Sequence, residues 1–272
     1  MQLKRQQTRR REDEIVIHTE DDLVGMRQAG QLAAAVLDHV TPHVAPSVTT
    51  EQLNTLCHDF ILAHGAVPAP LNYKGFPKSI CTSINHVVCH GIPGPRKLHD
   101  GDILNIDVTV ILNGWYGDTS RMFTVGERVG IKAHRLIAAT HEALMRGIEA
   151  VRPGAHLGDI GHAIQAYVEP MGYSVVRDFC GHGLGRAFHQ PPSVMHFGRL
   201  GDGPMLQEGM FFTIEPMVNA GRFQVKILAD NWTAVTKDKS LSAQFEHTVA
   251  VVPDGVEVLT YSPKGWDRPP YA

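Results

Sequence analysis

The sequence predicts an α+β fold of two similar halves, with antiparallel sheets in the core and helices outside. Asn113-Gly114, the strongest short signal for a two-residue type I′ turn, separates two runs of alternating apolar and polar residues within 100–125. Stripes of apolar residues at helical spacing precede these runs. A helical pattern beginning near Pro46 returns 107 positions later at Pro153, which indicates an internal duplication.

Two helices are predicted ahead of the hairpin. Thr19 and Asp22 form a capping-box-like start, and apolar residues keep helical spacing until Pro42 stops the helix. Thr49 and Gln52 start the second helix in the same way.

The second of these helices has a counterpart in the other half of the chain. The matching positions are Pro46, Leu53, Cys57, Phe60, Ile61 and Gly65, and then Pro153, Ile160, Ile164, Tyr167, Val168 and Gly172. Another helix is predicted at about 132–151, so each half is read as helix, helix, strands. We expect a single domain at 15–260, with pseudo-repeats at about 15–130 and 131–258, between a mobile basic tail at 1–14 and a C-terminal tail at 261–272.

Composition excludes several classes of protein. A net charge of -3 gives no electrostatic case for a nucleic-acid-binding body, and no apolar run reaches the roughly 18 residues that span a bilayer. The N-terminus lacks the apolar segment of a signal peptide, which favours a cytoplasmic protein. The four cysteines fit neither a zinc-finger spacing nor a disulfide framework, so a reducing compartment is expected.

The predicted hairpin brings two carboxylates together. If residue 112 faces 115, then 109 faces 118 and 107 faces 120, so Asp107 and Asp118 are diagonal neighbours on one face. The opposite face is apolar and must be buried. Two carboxylates this close are either half-protonated or a metal site. For the hairpin taken alone, two solvated surface acids are the simpler interpretation.

Two glutamates of the second half lie in strongly apolar segments. Glu215 stands in GMFFTIEPMV and Glu246 in LSAQFEHTVAVV, where alternation predicts strands. Either glutamate alone could be a buried acid paired with an arginine. Both of them beside the aspartate pair favour a metal cluster.

Three histidines lie next to turn signals, whereas several common catalytic motifs are absent. His182 and His189 are flanked by glycine or proline, and His90 precedes a Gly-Ile-Pro turn. Gly181, Gly183 and Gly185 have the wrong spacing for a GxGxxG phosphate loop. HEALM lacks the second histidine of HExxH, and GxSxG does not occur.

Six segments, in order and with matching gaps, resemble the type I methionine aminopeptidases of the bacterial form. They are NHVVCHGIP, NIDVTV, YGDTSRMF, GHGLGRAFH, FTIEPMVNAG and SAQFEHTV, and the resemblance runs from about Ile15 to Val258. It implies the pita-bread fold and an enzyme that removes the initiator methionine when the second residue is small. Glu215 and Glu246 are too close for the helical insertion of the type II enzymes.

The resemblance also implies the roles of individual residues. The metal ligands would be Asp107, Asp118, His182, Glu215 and Glu246. Asp118 and Glu246 would bridge two divalent ions, chosen from Co²⁺, Mn²⁺, Fe²⁺ and Zn²⁺, which this hard to borderline ligand set suits. Glu215 would also be the base for water. His189 would donate to the developing oxyanion and His90 would contact the scissile amide nitrogen.

A substrate pocket and a further ion follow from the same resemblance. The pocket for the methionine side chain would be formed by Tyr73, Phe76, Cys81, Phe188, Met217 and Trp232, which could equally be ordinary core residues. Backbone oxygens near Asn85, Val87 and Ser242 would hold Na⁺ or K⁺. Pro70 and His86 depart from residues that are common in related enzymes.

Two other functions are kept as alternatives. One is a non-catalytic binding protein on the same fold, although no ligand is lost. The other is a prolidase-like Xaa-Pro peptidase, which typically has a large N-terminal domain where this sequence has 14 residues. A monomer is expected, and the basic tail is a candidate for a weak ribosome contact.

Overall fold

A computed structural model of the chain describes residues 14–271. The predicted basic tail therefore lies almost wholly outside the described residues. The helices are α1 (Glu20–Val40), α2 (Thr50–Ala63), α3 (Ile131–Glu149) and α4 (Leu157–Val168), with short 3₁₀ segments at Thr41–His43, Tyr73–Gly75 and Glu169–Met171.

The strands are β1 (Val67–Pro68), β2 (Cys81–Ile84), β3 (Val87–Cys89), β4 (Ile103–Leu112), β5 (Trp115–Thr124), β6 (Ser174–Val175), β7 (Gly181–Gly183), β8 (Gln190–Val194), β9 (Phe211–Ile214), β10 (Met217–Asn219), β11 (Val225–Ile227), β12 (Ala234–Thr236), β13 (Ser242–Gln244), β14 (His247–Val252) and β15 (Gly255–Val258). Two helices thus precede the strands in each half, as predicted. No helix of the described part is long and apolar enough to cross a membrane.

The helix starts follow the predicted capping chemistry. Thr19 and Asp22 exchange side-chain and main-chain hydrogen bonds at the start of α1, and Thr49 and Gln52 do the same at α2. Each pair satisfies two of the main-chain N–H groups that a helix start leaves unpaired.

The internal repeat is visible in burial and in backbone conformation. Three of its apolar positions are completely buried in both copies: Leu53, Cys57, Ile61, Ile160, Ile164 and Val168. Gly65 and Gly172 follow α2 and α4 with φ of 70° and 83°, the left-handed conformation in which glycine ends helices.

The hairpin of β4 and β5 has the predicted register. Asn113 and Gly114 both have positive φ, as a type I′ turn requires, and Leu112 pairs with Trp115. Asp107 pairs with Ser120, and Thr109 pairs with Asp118. The opposite face of β4 is fully buried in the core of the first half, through Leu104, Ile106, Val108 and Val110.

The second half differs from the prediction at its two glutamates. Neither lies inside a regular strand, because the chain passes between two sheets at each of them. β9 and β14 pair in a five-stranded sheet, β10 and β13 pair in a three-stranded sheet, and Glu215 and Glu246 occupy the adjacent crossing points. Alternation predicts the side-chain direction there, but it does not reveal a break in the ladder.

The end of the chain packs over the first half. The Ser262 hydroxyl donates to the carboxylate of Asp38, which forms a buried ion pair with Arg121. The Tyr271 hydroxyl donates to the main-chain oxygen of Met122 at 2.6 Å. The segment expected as a C-terminal tail is therefore in contact with α1 at Ser262 and with β5 at Tyr271.

Candidate metal centre and active site

The charged residues of both halves meet in one cavity of about 530 Å³. Its lining includes every acid and histidine to which the resemblance gives a role: Asp107, Asp118, His182, Glu215, Glu246, His90 and His189. Residues separated by up to 156 positions along the chain are thus brought together between the two halves.

The two aspartates are positioned by the hairpin ladder. Both point from the same face of β4 and β5 into the cavity, as the register predicts. The Thr109 hydroxyl donates to Oδ1 of Asp118 at 2.7 Å. The hydroxyl of Thr248 on β14 bonds both the main-chain oxygen and the main-chain N–H of Asp118. Both aspartates are therefore positioned by regular pairing, and Asp118 is also held by the neighbouring half.

The carboxylate of Glu215 receives donors on both oxygens. The Thr213 hydroxyl donates to Oε1 at 2.8 Å, and the Gln244 amide donates to Oε2 at 3.3 Å. Its main-chain N–H donates to Nε2 of His196.

Glu246 is held through its main chain. It exchanges hydrogen bonds with the main chain of Ser120 on β5, and its carbonyl also accepts from the Thr119 hydroxyl at 2.7 Å. This pairing joins the second half to the first directly beside Asp118.

His182 presents a free ring nitrogen to the acids. Its Nε2 lies 3.6 Å from Oδ2 of Asp118 and 3.7 Å from Oε1 of Glu215. Its Nδ1 lies 3.2 Å from the carbonyl of Gly183, which can only accept, so Nδ1 carries the proton in that contact. Burial lowers the pKa of His182 to about 4, which keeps the ring neutral. A neutral imidazole with its outer N–H bonded is the usual form of a metal-ligating histidine.

The acids of the cavity lack a cationic side chain to neutralise them. Burial raises the pKa of Asp107 to about 7. Burial, and then the charge of neighbouring acids, raises the pKa values of Asp118, Glu215 and Glu246 well above the ordinary range. No lysine or arginine lies among the described residues that line the cavity. Ligand atoms of Asp118, His182 and Glu246 lie within 4.8 Å of one another, and this arrangement of oxygen and nitrogen donors fits divalent cations.

His90 and His189 lie at the edge of this acidic cluster. The rings of His189 and His182 are 4.1 Å apart between centroids, and His90 packs edge-on against Phe179. His90 has a φ of 56°, an uncommon conformation for a residue with a Cβ and one that concentrates at functional sites. Burial lowers the pKa of both rings, that of His189 to about 3.

A second, smaller cavity of about 200 Å³ adjoins the first at these two histidines. Five of the six residues predicted for the methionine pocket line it: Tyr73, Phe76, Cys81, Phe188 and Trp232. Met217 lines the larger cavity instead. Pro70 and Lys74 also line the smaller one, and Lys74 was not anticipated from the sequence.

Several residues that support the site were missed in the sequence. Thr213 could have been found, because it precedes Glu215 by two positions and so shares its face of a strand. Gln244 has the same relation to Glu246. His196 carries no local signal, since 19 residues separate it from the glutamate that it contacts.

Comparison with known proteins agrees with this geometry. Residues 24–253 match the model of metallopeptidase family M24. The methionine aminopeptidase of Rickettsia prowazekii is 64% identical over 258 residues, which is 94% of this chain and 99% of that protein. Its crystal structure superimposes with a TM-score of 0.90 over 91% of this chain and 100% of that one.

A more distant relative shares the fold. The prolidase of Pyrococcus horikoshii is 18% identical and superimposes with a TM-score of 0.72, covering 90% of this chain and 63% of the prolidase. The superpositions show the pita-bread fold. The family match and the cluster of donors support the use of divalent metal. The chain therefore belongs to metallopeptidase family M24 and, within it, to the methionine aminopeptidases.

Proposed function

We propose that this chain is a metal-dependent aminopeptidase that removes the initiator methionine from nascent proteins when the second residue is small. The observation that carries the proposal is the cavity in which four buried or half-buried carboxylates lie beside the neutral His182, and which meets a mainly apolar cavity at His90 and His189. Buried acids without cationic side chains stay charged near neutral pH only when cations bind them, and an adjoining apolar cavity suits an unbranched thioether side chain.

The residues that would hold two divalent ions are Asp107, Asp118, His182, Glu215 and Glu246. As the resemblance implies, Asp118 and Glu246 would be shared between the ions. Asp107 would complete one set, and His182 with Glu215 the other. The ligand set suits Co²⁺, Mn²⁺, Fe²⁺ or Zn²⁺. When bound, such a pair supplies a water of lowered pKa and polarises the scissile carbonyl.

The chain's own residues would then move protons and orient the substrate. Glu215, whose two oxygens are oriented by Thr213 and Gln244, would take a proton from the attacking water. His189, neutral because burial lowers its pKa, would donate a hydrogen bond to the developing oxyanion. His90 would contact the amide nitrogen of the scissile bond.

The two cavities adjoin, which supports one direction for the bound peptide. His90 and His189 line both, so the scissile bond would lie between them. The methionine side chain would occupy the smaller cavity, formed mainly by aromatic residues and Cys81. The rest of the peptide would leave through the larger cavity, past Phe179 and Met217.

Further assignments belong to the same proposal. Residues 15–260 would act as one cytoplasmic, monomeric domain, with the basic tail making a weak ribosome contact. A Na⁺ or K⁺ ion would lie near Asn85, Val87 and Ser242. This site is supported by the hydrogen bond from the Ser242 N–H to the Asn85 carbonyl, which brings the two segments together at 2.8 Å.

A peptide assay tests the function. The purified chain, loaded with Mn²⁺ or Co²⁺, is incubated with Met-Ala-Ser, Met-Lys-Ser and Ala-Pro-Ser, each with and without excess chelator. We expect rapid release of methionine from Met-Ala-Ser only, and none with chelator. Equal turnover of Ala-Pro-Ser would favour the prolidase-like alternative, and binding without any turnover would favour a non-catalytic protein.

A further inference from the structure

One buried histidine beside the metal centre has no role in the chemistry described above. His196 is 1% exposed and follows β8. Its Nε2 accepts a hydrogen bond from the main-chain N–H of Glu215 at 3.0 Å. Because an accepting ring nitrogen carries no proton, this contact requires the neutral ring with its proton on Nδ1.

This hydrogen bond replaces one that the sheet does not supply. The pairing of β9 with β14 ends at Ile214, and the chain turns through Pro216 before β10 begins. At the adjacent crossing point, the main chain of Glu246 is paired with Ser120 of the other half. The N–H of Glu215 is bonded to a side chain instead, so its position depends on where His196 is held.

His196 is held from the outer helix layer. A Cβ on Gly161 of α4 would lie 2.5 Å from the carbonyl oxygen of Phe197 and 2.7 Å from that of Met195, so only glycine permits this close approach. The Gln165 side chain of α4 also accepts from the N–H of Gly198 at 3.1 Å. The segment 195–198 is therefore fixed against α4 on both sides of His196.

We propose that His196 is a positioning residue for Glu215. His196 accepts the N–H of Glu215 at the point where strand pairing is interrupted. This hydrogen bond fixes the main chain of Glu215, from which the carboxylate points toward His182. The effect on catalysis rests on the proposed function, whereas the effect on metal binding does not. A residue with this role acts on metal affinity and kcat more than on KM, because it contacts neither the substrate nor its apolar cavity.

Paired substitutions test the proposal on the full chain. His196→Phe keeps a buried ring and removes the acceptor, while His196→Gln keeps an acceptor at a similar reach. We expect His196→Phe to lose about 10- to 100-fold in Co²⁺ affinity, measured by titration of the Co²⁺ absorption bands, and a comparable factor in kcat. KM for Met-Ala-Ser should stay within about twofold, and His196→Gln should recover most of both losses.

His141→Phe is the matched control. This histidine packs its ring against a buried phenylalanine, Phe245, but it lies on α3 and does not line the cavity. It should retain wild-type Co²⁺ affinity. Should His196→Phe not fold, His196→Asn, whose acceptor is too short to reach, replaces it in the comparison with His196→Gln.

The outcomes separate three ideas. The positioning role would be overturned if His196→Gln lost as much Co²⁺ affinity as the variant without the acceptor. It would also be overturned if His141→Phe lost as much, because packing alone would then explain the loss. Unchanged affinity and kcat without the acceptor would overturn it too. If the Co²⁺ affinities follow the expected order while no variant, including the wild type, releases methionine, the proposed function fails and the positioning role stands.

Discussion

The two aspartates and the two glutamates of the cavity face the same space but are held in different ways. Asp107 and Asp118 project from an uninterrupted hairpin, in which each residue's direction follows from its partner. Glu215 and Glu246 stand where the chain leaves one sheet for another. Strand pairing sets the direction of both aspartates, and Asp118 has further hydrogen bonds with Thr109 and Thr248. The glutamates stand outside a regular ladder, so their positions depend on individual hydrogen bonds.

The largest expected effect comes from removing the charge of Asp118, which lies beside residues of both halves. Asp118→Asn should lose bound metal and at least about 10³-fold in kcat/KM, because Asp118 is one of three donors whose ligand atoms lie within 4.8 Å of one another. Metal content by mass spectrometry and peptide kinetics measure this. The exposed Asp254 provides the control substitution, Asp254→Asn, which should behave as wild type. A metal-loaded, active Asp118→Asn protein would contradict the ligand assignment.

Removing a group that lies beside the acids should separate chemistry from metal binding. His189→Ala should lose about 10²- to 10³-fold in kcat, the magnitude for one oxyanion donor, with metal content near that of the wild type. The measurement is kcat beside metal content on one preparation. Metal loss in this variant would make His189 part of the metal site, and full activity would show that it is not the donor.

Metal removal should change how stability depends on pH. Without metal, the pKa of Asp107 is raised by burial to about 7, and those of Asp118, Glu215 and Glu246 are also raised. A raised carboxyl pKa favours the folded state below the unfolded value of about 4, and this stability is lost as pH rises toward the folded value. Divalent cations offset the loss by stabilising the charged forms.

The Tm of the chelated protein should therefore fall below that of the metal-loaded protein by an amount that grows from about pH 5 to pH 8. The pKa of His182 is lowered to about 4, so this group makes stability rise with pH, but it is one group against four acids. Calorimetry of both forms across this range measures the difference. If the difference in Tm between the two forms narrows as pH rises, the acids are not buried without a counter-charge.

Two threonines test whether Asp118 on the hairpin and Glu215 between the two sheets are held differently. Thr109 donates to Asp118 and Thr213 donates to Glu215, at nearly equal distances of 2.7 and 2.8 Å. Thr213 also accepts the main-chain N–H of His182. Thr213→Val should therefore reduce metal affinity by about 10-fold or more, and Thr109→Val by less. Calorimetric titration with Mn²⁺ compares them, and an equal or reversed effect would remove the distinction.

The sequence predicted the aspartate region well because its rules are local. A two-residue Asn-Gly turn defines the register, the register defines the face, and the apolar side of β4 defines which face is buried. The capping boxes and the repeat are equally local patterns. The resemblance then connected these residues to distant ones that no local rule could join.

The glutamate region was predicted only in part, for a physical reason. Alternation placed Glu215 and Glu246 on the correct face, but the transfer of the chain between sheets depends on strands far away in sequence. His196 and Lys74 were missed because their contacts are made entirely by tertiary packing. The same applies to Met217, which alternation assigns to a face but not to one of two adjoining cavities.

The main-chain pairing of Ser120 with Glu246 has a consequence for how the molecule opens. These two residues belong to different halves, and each accepts the N–H of the other next to Asp118. Any fluctuation that parts the halves at this seam must break that pair and separate acids contributed by both sides. A cation bound by these acids would therefore join the two halves at this seam, and we expect the amide hydrogens at 120 and 246 to exchange with solvent more slowly when metal is bound.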